Sequence, residues 1–184
     1  MGVYISFLRG VNMTGHNKMK MADLAALYHD LGFKDAITHI QSGNVVFSTG
    51  DVYSVPELSV KIGDSIRGKF GYDVPVMIRS VAELKSLIPA NPYLLEDNFE
   101  PSKMAVVFLY EKASADQIGK LSGIGYPPDK FKVAEKEIFI FCPNGFGRTK
   151  LYTNFFEKKM GVTGTARNWN TVLAILEMAV NLPQ

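Results

Sequence analysis

An α+β fold of two related subdomains is what this 184-residue sequence predicts, and three observations carry the expectation. Short β-branched and aromatic runs alternate with amphipathic stretches over residues 1–90. An acidic, proline-containing segment with no Lys or Arg follows at 91–102. The same grammar then returns, more loosely, over 103–184.

In the first subdomain, residues 3–8 (VYISFL) read as a buried strand. Residues 20–31 carry Leu24, Leu27, Tyr28 and Leu31 at helical spacing, and Gly32 with Phe33 suits a Schellman ending. Strands at 36–40 and 45–48 flank Gln41-Ser42-Gly43-Asn44, where Gly and Asn tolerate the positive φ of a tight turn. Ser54-Val55-Pro56-Glu57 is a capping box, and Leu58, Ile62, Ile66 and Phe70 extend its helix to Gly71. A strand at 74–78 completes β-α-β-β-α-β, the split βαβ order of a ferredoxin-like sandwich. Ser80-Val81-Ala82-Glu83 caps a further short helix, expected to stop at Pro89.

The segment 91–102 reads as a surface linker. Beyond it, Met104–Tyr110 is a strand, Ser114-Ala115-Asp116-Gln117 caps a short helix, and 131–133 pairs with 138–141 across Glu135-Lys136-Glu137. Helices are expected over about 149–160 and over 169–181, the latter with Val172, Leu173, Leu176, Ala179 and Val180 on one face. The second half is thus β-α-β-β-α-α, an echo of the first without its last strand.

Composition excludes several function classes. Apolar residues are 47% and charged residues 21% of the chain, and Lys plus Arg (20) nearly balances Asp plus Glu (18), leaving +2. A single cysteine, Cys142, excludes an intramolecular disulfide framework and a multi-cysteine zinc site. There is no secretory leader pattern and no run of ~20 apolar residues, so a cytoplasmic protein that does not span a membrane is expected. Metal-binding spacings, a nucleophile elbow and a Walker loop are likewise missing, and none of the three His residues has a partner in sequence. No catalytic residue, metal or cofactor is therefore assigned, and the oligomeric state is left open.

Three polar segments sit at element ends. The first runs from Arg9 and Asn12 to Asn17, Lys18 and Lys20, with three cations and no acid before Asp23. Its basic end meets a helix start, where the dipole already favours an anion. The second is Gln41, Ser42 and Asn44, whose side chains can cap their own turn or rim a ligand. The third is Gly145 to Leu151, where two glycines precede Arg148, Thr149 and Lys150 at an expected helix start. Thr149 equally suits an ordinary N-cap. Arg167, Asn168 and Asn170 surround Trp169 further on, and Trp169 either staples the last helix to the core or stacks on a base. From Gly145 to Thr171, Arg148, Lys150, Lys158, Lys159 and Arg167 face a single acid, Glu157. The near-neutral total conceals two basic blocks.

Arg9-Gly10-Val11-Asn12 with Asn17-Lys18, Leu31-Gly32-Phe33 and Ile40-Gln41-Ser42-Gly43-Asn44-Val45-Val46-Phe47 resemble the bacterial domain-of-unknown-function family numbered 1697. Gly147-Arg148-Thr149-Lys150-Leu151, Glu157-Lys158 and the stretch from Thr165 to Val172 resemble its second block, with Thr149 where that family often has Ser. The resemblance implies a small bacterial cytosolic protein of two related α+β subdomains and no established activity. Together with the charge pattern, it leads to the expectation of a basic and amide-lined cleft between the halves, binding a phosphate-bearing small molecule or nucleotide. A single-stranded nucleic-acid-binding module is the alternative, disfavoured by the small charge excess. A protein-interaction domain is a third reading.

Overall fold

Apolar residues on alternate strand positions and on one stripe of each helix must meet if both are to leave water. In a computed structural model, which describes residues 2–13, 15–97 and 99–182, this happens in two compact units, Met1–Ser86 with Ala174–Gln184 and Leu87–Leu173. In the first, β1 (Gly2–Leu8) lies between β3 (Asn44–Thr49) and β4 (Val76–Ser80), with β2 (Lys34–His39) outside β3. Every pairing is antiparallel and the order is β2-β3-β1-β4. Leu8, Val45, Phe47, Val76 and Ile78 from the strands join Leu24, Leu27 and Tyr28 of α1 (Met21–Asp30) and Leu58, Ile62 and Ile66 of α2 (Val55–Phe70) in one core.

The local signals act as expected. The Gly32 and Phe33 N–H groups donate to the His29 and Tyr28 carbonyls (2.9 and 3.1 Å), the paired bonds of a Schellman motif, with Gly32 at φ 83°. Ser6 Oγ and the Tyr28 hydroxyl lie 2.6 Å apart in the core, where burial raises the tyrosine pKa against the lowering effect of Ser6. Strand β4 begins at Val76, two residues past the expected start. Pro75 has no N–H for the ladder, and its carbonyl instead accepts from the Arg9 N–H at 3.0 Å. Helix α3 (Val81–Ala90) opens with the Ser80–Glu83 box and passes Pro89, which sits in the last turn where few helical bonds remain to be lost.

At the start of α2 the Glu57 carboxylate accepts from both the hydroxyl and the N–H of Ser54 at 2.7 Å. These bonds, the hydroxyl's first, hold the Glu57 pKa below its ordinary value. Ser54→Ala should therefore cost about 1 kcal/mol, read as a lower urea midpoint at unchanged slope. A lowered folded-state pKa gives stability that is complete above the ordinary carboxylate range and is lost on acidification. The Ser54→Ala penalty should accordingly shrink as the pH falls through that range.

The second unit orders its strands in the same way, β6-β7-β5-β8, again all antiparallel. These are β5 (Met104–Leu109), β6 (Lys130–Val133), β7 (Glu137–Phe141) and β8 (Gly164–Asn168), with helices α4 (Ala115–Gly119), α5 (Thr153–Phe156) and α6 (Trp169–Val180). The α+β class and the two subdomains stand, and two details are corrected. The second half does have its fourth strand, β8, which supplies the β-α-β-β-α-β order before α6. Gly164-Thr165-Ala166-Arg167-Asn168 has no apolar alternation, so its extended state is set by pairing with β5, Val106 opposite Arg167. The helix expected from 149 starts instead at Thr153, after a 3₁₀ turn at Phe146–Arg148, and ends in a π turn at Glu157–Gly161. Thr149 is extended (ψ 152°), and its Oγ1 accepts the Leu151 N–H at 3.1 Å, a local bond that competes with the helix.

The echo between the halves reaches the register. Ile5 pairs with Val46 and Arg79, and Val106 pairs with Phe139 and Arg167. Two buried arginines thus hold corresponding positions on corresponding strands. Residues 91–102 fall in the second unit: Asn91 and Tyr93 are buried, Tyr93 stacks on Phe141 at 5.7 Å, and Glu96 pairs with Lys130 at 2.8 Å. No helix among the described residues is long and apolar enough to cross a membrane.

Candidate functional site

In the first unit, the loop after β1 and the β2–β3 turn are joined by asparagines. Asn12, at φ 54°, donates through Nδ2 to the carbonyls of Met19 and Gln41 (both 2.9 Å) and accepts the Met19 N–H at 2.8 Å. Asn17, at φ 46°, donates to the Gly10 carbonyl at 3.1 Å, and its own carbonyl accepts the Asn12 N–H at 3.2 Å. Asn44 is buried and donates to the His39 carbonyl (3.0 Å) and Ser42 Oγ (2.9 Å). Asparagine suits such places because its amide bonds locally and it tolerates the left-handed region. These amides serve as the framework of the loop. What reaches solvent is the side chains of Lys18, Lys20 and Gln41, with Arg9 half-buried beside them.

The second unit holds a groove of about 540 Å³ lined by residues 126–129 and by Asn144, Gly145 and 147–150. Its floor is a fixed loop. The Gly145 N–H donates to the Cys142 carbonyl (2.8 Å), the Tyr152 hydroxyl donates to the Phe146 carbonyl (3.0 Å), and Leu151 is buried. Gly145 sits at φ 79°, a conformation open to glycine at no steric cost. From this loop Arg148 and Lys150 project to solvent, and Lys150 Nζ lies 5.3 Å from the centre of the Tyr126 ring. Among the described residues Arg148 has no acid partner. Thr149 points inward to the Cys142 thiol, which burial pushes up to about 11, so it is protonated and unreactive near neutral pH.

The remaining residues singled out in the sequence do not line this groove. Arg167 is buried on β8 and donates through Nη1 to Thr165 Oγ1 and the Ala166 carbonyl (both 2.8 Å). Burial lowers its pKa to about 10, which still leaves it charged at neutral pH. Asn168 donates to the Ser102 carbonyl (3.1 Å) and accepts the Asn170 N–H (3.0 Å), an Asx cap at the start of α6. The side chain of Asn170 is exposed. Sequence reading missed Tyr126, Asp129 and Asn144 in the groove and the buried Arg79, whose Nη1 donates to the Ile78 carbonyl at 2.9 Å. The Pro127-Pro128 pair was the available signal for the first two, since it fixes a rigid turn beside Tyr126 and Asp129.

Two four-stranded antiparallel sheets with this strand order, and a polar loop cluster in each unit, define a class of two-subdomain α+β protein without a recognisable catalytic constellation. The chain belongs to the family described as Protein of unknown function (DUF1697), whose model matches residues 1–139. The second block of the resemblance, beyond residue 139, lies outside that match. Among solved structures, a conserved bacterial protein from Streptococcus pneumoniae is similar, with a TM-score of 0.72 at 20% identity over 97% of this chain and 98% of that one. At that identity the likeness concerns the fold. No curated protein matches the chain.

Proposed function

We propose that this protein binds a phosphate-bearing small molecule or nucleotide in the groove of its second unit, with Arg148 and Lys150 as the anion contacts. The carrying observation is that a fixed loop presents an exposed arginine with no acid partner next to a lysine at the mouth of a ligand-sized groove. Arginine offers phosphate a bidentate fork, and lysine adds a mobile point charge. Near-neutral net charge is compatible with one such site and argues against a whole surface given to polyanions. A single-stranded nucleic-acid platform on the sheets has less support, because Phe47 and Phe139 are buried and Tyr4 packs on the core. We read both units as ferredoxin-like sandwiches from their strand order, and we assign the protein to the bacterial cytosol.

Calorimetric titration with inorganic pyrophosphate tests the reading. Losing a charge-assisted contact worth about 1.5–3 kcal/mol should weaken binding by roughly tenfold or more in Arg148→Ala. Affinity should also fall steeply with added salt. Equal affinity of wild type and variant, with both folded by circular dichroism, would remove Arg148 from the site.

A further inference from the structure

We infer, building on the anion reading of the same groove, that its ligand is a ribonucleotide and not a bare phosphate. The groove does not end at the cationic loop. A second groove of about 570 Å³ adjoins it, and Pro127, Pro128, Asp129 and Asn144 line both. Along this combined channel the chemistry changes in a fixed order. Arg148 and Lys150 stand at one end, Asp129 and Asn144 in the middle, and Pro143 with the flanks of Pro127 and Pro128 beyond them.

Phosphate, ribose and base follow one another in the same order. A carboxylate has no use in a site for phosphate alone, because it repels the ligand. It is a strong acceptor for the vicinal hydroxyls of a ribose, and an asparagine amide can both donate to and accept from them. Proline faces give a base an apolar wall without reading its edge. The Asp129 carboxylate is also positioned from behind, since it meets the thiol of the buried Cys142. Each compartment falls within the ~300–1,000 Å³ range of small-molecule sites, and the pair matches a phosphate-to-base ligand better than a single ion.

The test is calorimetry on the full chain with pyrophosphate, AMP and 2′-deoxy-AMP. AMP should bind about tenfold tighter than its deoxy analogue. Asp129→Asn should weaken AMP about tenfold while leaving pyrophosphate unchanged or tighter, a split that general damage to the fold cannot produce. Asn144→Ala, away from the Cys142 contact, should weaken AMP alone. If AMP binds no tighter than 2′-deoxy-AMP, or Asp129→Asn weakens AMP and pyrophosphate alike, the ribonucleotide inference falls and the anion site stands. If neither pyrophosphate nor AMP binds, both fall.

Discussion

Trp169→Ala should lower the free energy of unfolding by about 3–5 kcal/mol, the range for truncating a large buried aromatic. Trp169 is 1% exposed, opens α6, and lies with its ring 6.4 Å from that of Phe139 on β7. Removing the indole strips apolar surface from the second unit and leaves a cavity that Phe139, itself 1% exposed on a strand paired on both sides, cannot easily move to fill. Both terms destabilise, and together they approach the whole stability of an ordinary domain. Because this is the single tryptophan of the chain, urea unfolding should be followed by far-ultraviolet circular dichroism. A loss below about 1 kcal/mol at unchanged slope would show that the indole is not packed as described. The staple reading of Trp169 accounts for its burial; a side chain this enclosed has no face for a base.

Gly43→Ala should cost about 2–4 kcal/mol, from two separate causes. Gly43 has φ 72°, where any Cβ is strained, and its added Cβ would lie 2.5 Å from Val11 Cγ2 and 2.8 Å from Leu8 Cβ. Backbone strain of about 1 kcal/mol then adds to an overpacking cost of about 1–3 kcal/mol. The site cannot relax outward freely, since the Gly43 carbonyl accepts the Leu8 N–H at 2.8 Å and so ties the turn to the end of β1. The neighbouring Gly10, also at positive φ (70°), has nothing within 4 Å of an added Cβ. Gly10→Ala should therefore show the strain term alone, about 1 kcal/mol. Equal urea midpoints for the two variants would contradict the contact at Gly43.

What was legible in the sequence was written in local chemistry. Capping boxes at Ser54, Ser80 and Ser114, the glycine endings at Gly32 and Gly71 and the Gly43 turn all rest on bonds within a few residues. Helix α6 shows where such reasoning weakens. It was expected to bury Leu173 and Val180, which are 37% and 43% exposed, while Val172, Ile175 and Ala179 are buried with Trp169. Residues 172–176 are apolar without a break, so period alone cannot choose the buried face. The site divides in the same way. Arg148, Thr149 and Lys150 were found from charge and glycine content, whereas Asp129 and Asn144 come to the groove from separate stretches of chain.

By itself, then, the sequence determined the class, the two subdomains, nearly every helix start and the position of the basic blocks, because each depends on neighbours along the chain. Only the tertiary structure decided that Gly164–Asn168 is a strand, that Asn12, Asn17 and Asn44 bond to backbone, and that Arg167 is buried while Arg148 is exposed. The physical reason is common to all three. An arginine or an asparagine carries the same donors wherever it stands, and whether a carbonyl or solvent receives them depends on which distant strand or turn the fold brings alongside.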